Sequence, residues 1–437
     1  MSATTTAADA KRVAVIGGGY VGLPTAAVLA HFGHRVVLAE SEPNRYERLA
    51  AGDSPIVEHG LEELLREGLA SGALRVTSSA VDAVADAQFV FLCVPTPQDD
   101  DGSADLSHVR AVAREIRTAL CRGAIVVNKS TVPVGTSSLV EGITGRPDIT
   151  VVSNPEFLRE GSAVSDSLNP ERIVVGADDP AAAQRVGELF ARTGAPLIVT
   201  DTTTAETIKY ASNAFLATKL SFINAIAALC EAVGADVRDL VLGLGYDKRI
   251  GFEYLRPGPG WGGSCLPKDT SALVHIAETA GYDFSLLRGA IAQNDEQLER
   301  VVAKITEAAG GSLDGVPVGV WGLTFKANTD DRRSSPAADI ARRLVGAGAE
   351  VRAYDPTVEA GESTPDLKGV TTVADPYEAA RGVRVVALLT EWDEFRWLEF
   401  AKVASLMDAP AVVDARNLLD PAALRRLGFA YSGIGRP

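Results

Sequence analysis

The run RVAVIGGGYVGLPTAAVLAHFGHRVVLAE, Arg12 to Glu40, decides the fold. β-Branched residues precede three glycines, an alanine-rich helical pattern follows them, and a second apolar run closes on a carboxylate, so the stretch reads as strand, tight turn, helix, strand. Gly17, Gly19 and Gly22 occupy the glycine positions of G-x-G-x-x-G in that setting. The first permits the turn, the second lets a pyrophosphate approach the backbone, and the third lets helix and strand pack closely. Glu40 ends the second strand, where a carboxylate binds the hydroxyls of an adenosine ribose and repels a 2′-phosphate, so the expected cofactor is NAD rather than NADP.

Outward from this unit the pattern repeats. Apolar runs at FVFLCVP, AIVVNKS, TVVSNPEF, RIVVGA and LIVTD alternate with helical or polar stretches, which implies an α/β fold with a parallel sheet. From Thr202 a long helical stretch runs to Gly234, with Thr203 and Glu206 spaced as a capping box. It reads as a connecting helix, either a surface for subunit contact or a buried spine. Past Gly310 the opening logic recurs in VPVGVWGL, SPAADIARRLVGAGA and EVRAYDP. The expected organisation is two Rossmann-like doubly wound domains joined by a central helical region, with segments 1–203, 204–311 and 312–437.

The bulk properties narrow the function. At 437 residues the chain exceeds one ordinary core, and its net charge of −15 disfavours nucleic acid as a partner. An anionic substrate would need a local cluster of Lys and Arg. No apolar stretch approaches the length needed to span a bilayer and no apolar leader is evident, so no membrane association and a cytoplasmic location are expected. Cys93, Cys121, Cys230 and Cys265 form no C-x-x-C pair, which argues for thiols over disulfides and against a metal site.

Cys265 is the best nucleophile candidate of the four. It stands in GPGWGGSCLPKD, where glycines let a ligand approach, Pro267 suits a first helical turn, and a helix N-terminus and Lys268 both favour thiolate. Cys93 and Cys121 flank strands and Cys230 lies in an apolar helix, where buried structural thiols are the stronger expectation. Lys209 and Asn213 share a helical face, and Glu156 and Glu160 have helical i, i+4 spacing that suits an acid and a base. On spacing alone, Lys209 and Asn213 would more often be a solvated face than a site, and surface carboxylates spaced like Glu156 and Glu160 are common, so spacing decides neither pair.

GGGYVG, CVPTP, KSTVPVGT, NPEFLREG, AETIKYASNAF, GGSCLPKD, FKANTDD and TEWDEF occur in the order seen in UDP-glucose 6-dehydrogenases, and the chain is identified as resembling the UDP-glucose/GDP-mannose dehydrogenase family from about residue 12 to about 420. The resemblance implies a four-electron oxidation of the C6 alcohol of a UDP-hexose, UDP-glucose first, using two NAD per sugar. It implies Cys265 as nucleophile, Lys209, Asn213 and Asp269 around the reacting C6 oxygen, Thr131 and Glu160 as water-positioning groups, and Glu156 in the same site. The mechanism so implied has the Cys265 thiolate add to a C6 aldehyde while Lys209 and Asn213 stabilise the oxyanion; a second oxidation gives a thioester, from which water activated by Asp269 or Glu160 releases the acid.

Beyond the glycines and Glu40, the resemblance places Tyr20, Val21, Pro95, Thr96, Thr131, Glu160, Lys268 and Arg333 at the cofactor. It places Glu156, Phe157, Leu158, Arg159, Lys209, Asn213, Tyr254, Leu255, Gly262, Cys265, Phe325 and Lys326 at the substrate. Arg249 matches an arginine contributed by the partner of a homodimer. Three positions depart from the family pattern: His59 for proline, Ser334 for glutamate after Arg333, and Glu40 for aspartate. Ser334 bears on how firmly Arg333 is oriented. Related branches act on TDP-glucose, UDP-N-acetylhexosamines or GDP-mannose; the other class of reading is a catalytically silent nucleotide-sugar binder, against which intact Cys265, Lys209, Asn213 and Asp269 argue.

Overall fold

The computed structural model describes residues 10–99 and 101–436. The chain divides into two compact units, one of residues up to 212 with 271–280, the other of 213–270 with 281 onward.

The first unit is built on eight strands: β1 (Arg12–Ile16), β2 (Arg35–Ala39), β3 (Leu74–Thr77), β4 (Phe89–Leu92), β5 (Ile125–Asn128), β6 (Thr150–Ser153), β7 (Ile173–Gly176) and β8 (Leu197–Thr200). Their order is β3-β2-β1-β4-β5-β6-β7-β8, with Val13 opposite Val36 on one side and Phe89 on the other. Alternate residues feed two cores: Val13, Val15, Phe89 and Phe91 face one, Ala14, Ile16, Val90 and Leu92 the other. A strand covered on both faces must be apolar throughout, which is why these segments read as continuous hydrophobic runs. The sheet is not wholly parallel as expected, because β6 meets β7 antiparallel through Ser153 and Gly176.

In the second unit the order is β11-β10-β9-β12-β13-β14, all parallel, from β9 (Pro317–Trp321), β10 (Glu350–Tyr354), β11 (Thr371–Thr372), β12 (Val385–Leu388), β13 (Ala411–Asp414) and β14 (Ala430–Gly433). One face of this sheet packs with Ile223, Ala227 and Cys230 of the long helix and with Val301 and Ile305. Both sheets reverse direction beside their first strand, between β1 and β4 and between β9 and β12. Such a reversal leaves a crevice at the carboxyl ends of the strands, the usual ligand position of an open α/β sheet.

The helix Thr202–Val233 departs from two expectations. Its start is not a capping box on Thr203: Asp201 accepts from Thr204 N at 2.8 Å and from the Thr204 hydroxyl at 2.6 Å. Glu206 instead accepts from Gly135 N at 2.7 Å and Ser137 N at 3.0 Å, capping the helix Thr136–Thr144. The helix is also long and apolar enough to cross a bilayer by length and composition alone, contrary to the expectation that no stretch is. Lys209 and Lys219 interrupt the run when it is read residue by residue, yet its average stays apolar. Only 33 % of that window is buried within the chain, so the apolar residues serve two faces. Phe215, Phe222, Leu229 and Val233, spaced by seven, seven and four, form an exposed stripe.

Candidate active site

β1 ends at Ile16, and the chain turns at Gly17 with φ +103°, donating from N to Ala39 O at 2.9 Å. A Cβ on Gly17 would strike Cys93 O, and one on Gly22 would strike Gly17 O, so neither position admits a side chain. A Cβ on Gly18, which the motif alone does not mark, would stand 2.9 Å from the end of the Leu49 side chain and 3.0 Å from the Glu40 carboxylate, a closeness that those side chains could relieve by shifting. Around Gly19, in contrast, nothing stands within 4 Å of the Cβ position. The turn therefore has a rigid floor and one open backbone face at the start of the helix Gly22–His31, which fits a dinucleotide pyrophosphate.

Glu40 is buried at the end of β2. Its carboxylate accepts from Gly18 N at 3.0 Å and Glu42 N at 2.9 Å, which fixes it against the glycine turn. Tyr20 and Val21, in the glycine turn, are half-buried. At the ends of β4 and β5 the Thr96 hydroxyl donates to Thr131 O at 2.8 Å, so both threonines are buried together, while Pro95 is exposed.

NPEFLREG is a loop, not the helix its i, i+4 carboxylates suggested. Glu156 accepts from Leu158 N at 2.6 Å and from Lys209 Nζ at 2.8 Å, which draws the backbone away from helical bonding. Both members of the ion pair are buried. Burial alone pushes the Glu156 carboxyl up, but Lys209, its hydrogen bond, the Leu158 N–H and Lys129 together bring it below the usual glutamate value. Phe157 lies 3.7 Å beneath the Arg172 guanidinium, Arg159 turns to Asp166 at 2.6 Å, and Glu160 is half-buried.

In the second unit, Cys265 is the N-cap of the helix Leu266–Thr279: its carbonyl accepts from Asp269 N at 3.0 Å. The thiol is half-buried, 3.6 Å from the Ser264 hydroxyl. Asp269 is buried and accepts from Asn213 Nδ2 and from Lys268 Nζ, each at 2.5 Å, so amide, cation and carboxylate are locked together one turn past the cysteine. The other thiols are poor nucleophiles: burial raises Cys93 to about 12 and also raises Cys230, and Cys121 donates to Ala85 O.

The glycine-rich loop before Cys265 is held from several sides. Trp261 N donates to Asn294 Oδ1 at 2.8 Å, its indole donates to Ser221 Oγ at 2.8 Å, and Gly258 N donates to Asn224 Oδ1 at 2.9 Å. A Cβ on Gly262 would strike Ser334 O, and one on Gly263 would stand 2.8 Å from the Phe325 ring. Tyr254 adopts φ +61° just before Leu255, which is buried. Phe325 and Lys326 follow β9 at the second switch point, both half-buried, with Lys326 Nζ 5.4 Å from the Phe325 ring. Arg333 is oriented without a glutamate at 334, because buried Asp331 receives its guanidinium at 2.7 and 2.8 Å.

The cationic cluster that an acidic chain needs is present and was not foreseen in this form. A cavity of about 820 Å³ in the second unit is lined by Arg238, Arg256, Arg396, Arg416, Arg425 and Arg436. Arg416 donates to Leu389 O and Phe325 O, each at 2.8 Å, which ties this wall to the second switch point. Concentrated guanidinium groups beside low-dielectric walls suit a diphosphate. Arg249 is elsewhere: its side chain is 89 % exposed and paired with Asp247 at 2.6 Å. Among the described residues no group of His, Cys, Asp and Glu is placed to hold a metal.

Sequence profiles match nearly all of this architecture: the UDP-glucose/GDP-mannose dehydrogenase family's NAD binding domain over residues 11–193, its central domain over 203–296 and its UDP binding domain over 319–421. The chain belongs to the UDP-glucose/GDP-mannose dehydrogenase family. It is similar to the UDP-glucose 6-dehydrogenase of Pseudomonas aeruginosa, 44 % identical with 98 % of each chain covered. The UDP-glucose 6-dehydrogenase of Rhizobium meliloti is 45 % identical over 98 % of this chain and 100 % of its own. A solved UDP-glucose dehydrogenase from Pyrobaculum islandicum superposes with a TM-score of 0.90 at 38 % identity, covering 100 % of both chains. Glu40, Cys265, Lys209, Asn213 and Asp269 thus sit in the framework of an NAD-dependent dehydrogenase family.

The open face at Gly19 predicts a separation of effects. Gly19→Ala should keep the wild-type melting temperature yet bind NAD about tenfold or more weakly by calorimetry, whereas Gly22→Ala should lose stability as well. Undiminished NAD affinity in Gly19→Ala would remove the turn from the cofactor site.

Proposed function

We propose that this chain oxidises the C6 alcohol of UDP-glucose to the carboxylate, giving UDP-glucuronate, with two NAD consumed per sugar. The observation that carries the reading is Cys265 at a helix N-terminus one turn from the Asn213–Asp269–Lys268 cluster, in a chain of this family. NAD, when bound at the Gly17–Gly22 turn and Glu40, supplies the hydride acceptor. The rest falls to the chain. The helix N-terminus favours the Cys265 thiolate, which adds to the C6 aldehyde and holds it as a thiohemiacetal. Lys209 and Asn213 donate to the oxyanion, and after the second oxidation the Cys265 thioester is hydrolysed by water activated at Asp269 or Glu160. Thr131 and Glu156 belong to the same site. Phe157, Leu158, Tyr254, Leu255, Gly262, Phe325 and Lys326 position the sugar nucleotide, and the arginine-lined cavity supports the placement of its diphosphate.

The working form is read as a homodimer in the cytoplasm, a compartment in which four thiols without a disulfide among the described residues are at home. The exposed stripe Phe215, Phe222, Leu229 and Val233, with Leu242, Tyr246 and Phe252 near it in sequence, supports a subunit face on the long helix. An Arg249 that extends into solvent in the single chain supports its service to the partner's substrate.

Two measurements divide these roles. Cys265→Ser should lower kcat by about 10³-fold or more at little change in KM, while Arg416→Met should raise KM for UDP-glucose about tenfold at a kcat near wild type. UDP-glucuronate formed at the wild-type rate by Cys265→Ser would end the thioester scheme. In sedimentation equilibrium the wild type should run as a dimer and Phe222→Asp as a monomer; a monomeric wild type at micromolar concentration would remove the subunit face.

A further inference from the structure

β14 ends at Gly433, and the residues that follow it are bolted to other parts of the second unit. The Asn417 amide clamps Ile434, donating from Nδ2 to Ile434 O at 2.9 Å and accepting from Ile434 N at 3.0 Å. Gly435 N donates to Glu231 Oε1 at 2.7 Å, and Gly435 O accepts from Val237 N at 2.8 Å. Lys304 holds Glu231 in turn at 2.9 Å. Gly435 adopts φ +69°, and a Cβ there would stand 2.7 Å from the Ala227 Cβ and 2.8 Å from the Val237 Cβ, so only glycine permits this approach to the long helix.

This seat fixes the next residue, Arg436, at the wall of the arginine-lined cavity. The Arg436 side chain is only 16 % exposed, and its Nε is buried without a hydrogen-bond partner. Its one ion-pair partner among the described residues, Asp236, stands 3.9 Å away, beyond hydrogen-bond reach. Asp236 is engaged elsewhere, capping the helix Val237–Gly245 by accepting from Arg238 N at 2.8 Å. Other carboxylates at the cavity are engaged too. Glu391 pairs with Arg416 at 2.9 Å, and Asp420 caps the helix Pro421–Arg426 by accepting from Ala422 N at 2.9 Å and Ala423 N at 3.2 Å. A guanidinium withdrawn from water without a partner is destabilising, the more so among like charges, and an anion entering the cavity relieves both conditions.

Resting on the placement of the sugar nucleotide's diphosphate in this cavity, we propose that Arg436 is a further substrate-binding residue, whose guanidinium donates to a phosphoryl oxygen of the UDP moiety. The Gly435 seat is what makes the contact specific. It ties the backbone before Arg436 to the long helix and to the helix Val237–Gly245, so the guanidinium is held at the wall before substrate arrives and little freedom is lost on binding. The other arginine fixed by backbone carbonyls, Arg416, reaches the same cavity from the end of β13. The diphosphate is thereby received from two separately anchored walls.

The test uses the full-length chain carrying Arg436→Met, with UDP and uridine as the probes in calorimetry. UDP should bind about tenfold or more weakly, because a charge-assisted contact is lost, while uridine, which has no phosphate, should bind as it does to the wild type. The KM for UDP-glucose should rise by about tenfold, with a far smaller fall in kcat, and UDP should raise the melting temperature of the variant less than that of the wild type. If Arg436→Met does not fold, Arg436→Gln carries the same comparison. UDP bound as tightly as by the wild type, or UDP and uridine weakened equally, would overturn the role of Arg436. Undiminished UDP binding by Arg416→Met would instead overturn the placement of the diphosphate in this cavity, so the two failures are distinguishable.

Discussion

Two open parallel sheets that each reverse strand order beside their first strand impose the constraint on which everything else depends. The reversal sends neighbouring chain segments to opposite faces and leaves a crevice where strand ends meet backbone amides. In the first unit that place is occupied by the Gly17–Gly22 turn, Glu40, Thr96 and Thr131. In the second it is occupied by Phe325 and Lys326, with Arg416 anchored to the Phe325 carbonyl. Because each crevice is made by the strands, the side chains around it inherit the rigidity of buried β-structure.

Charge is the second organising quantity. A chain with net charge −15 must hold its cations in a few defined places to take an anionic substrate. It does so twice in different ways. Six arginines, which stay charged at any working pH, line one cavity. Two buried lysines are the other place, Lys209 paired with Glu156 at 2.8 Å and Lys129 held by Asn154 at 3.0 Å. Arginine suits the task of holding phosphate, and lysine suits the task of exchanging a proton. Asp269, locked by Asn213 and Lys268 at 2.5 Å each, gives the cysteine site a similarly fixed carboxylate.

Much of this was legible because the residues concerned announce backbone constraints. Gly17 and Gly22 fail sterically with any side chain, and Pro267 after Cys265 marks a helix start, so the turn and the nucleophile's helix could be read directly. The buried runs of β4 and β5 were equally plain. What escaped depended on partners distant in sequence. Glu206 looked like a local cap to Thr203 but bonds Gly135 and Ser137 some seventy residues earlier. Glu156 and Glu160 looked helical until Leu158 N and Lys209 claimed Glu156. The direction of β7 relative to β6 leaves no trace in an apolar run, and the six arginines of the cavity come each from a different element or connection with no local pattern.

The central claim is that one site carries out both oxidations while Cys265 retains the intermediate. The most direct measurement is the amount of NADH formed per UDP-glucose consumed by purified enzyme in excess NAD. The account predicts two, with UDP-glucuronate as the product. One per sugar, with an aldehyde released, would contradict it.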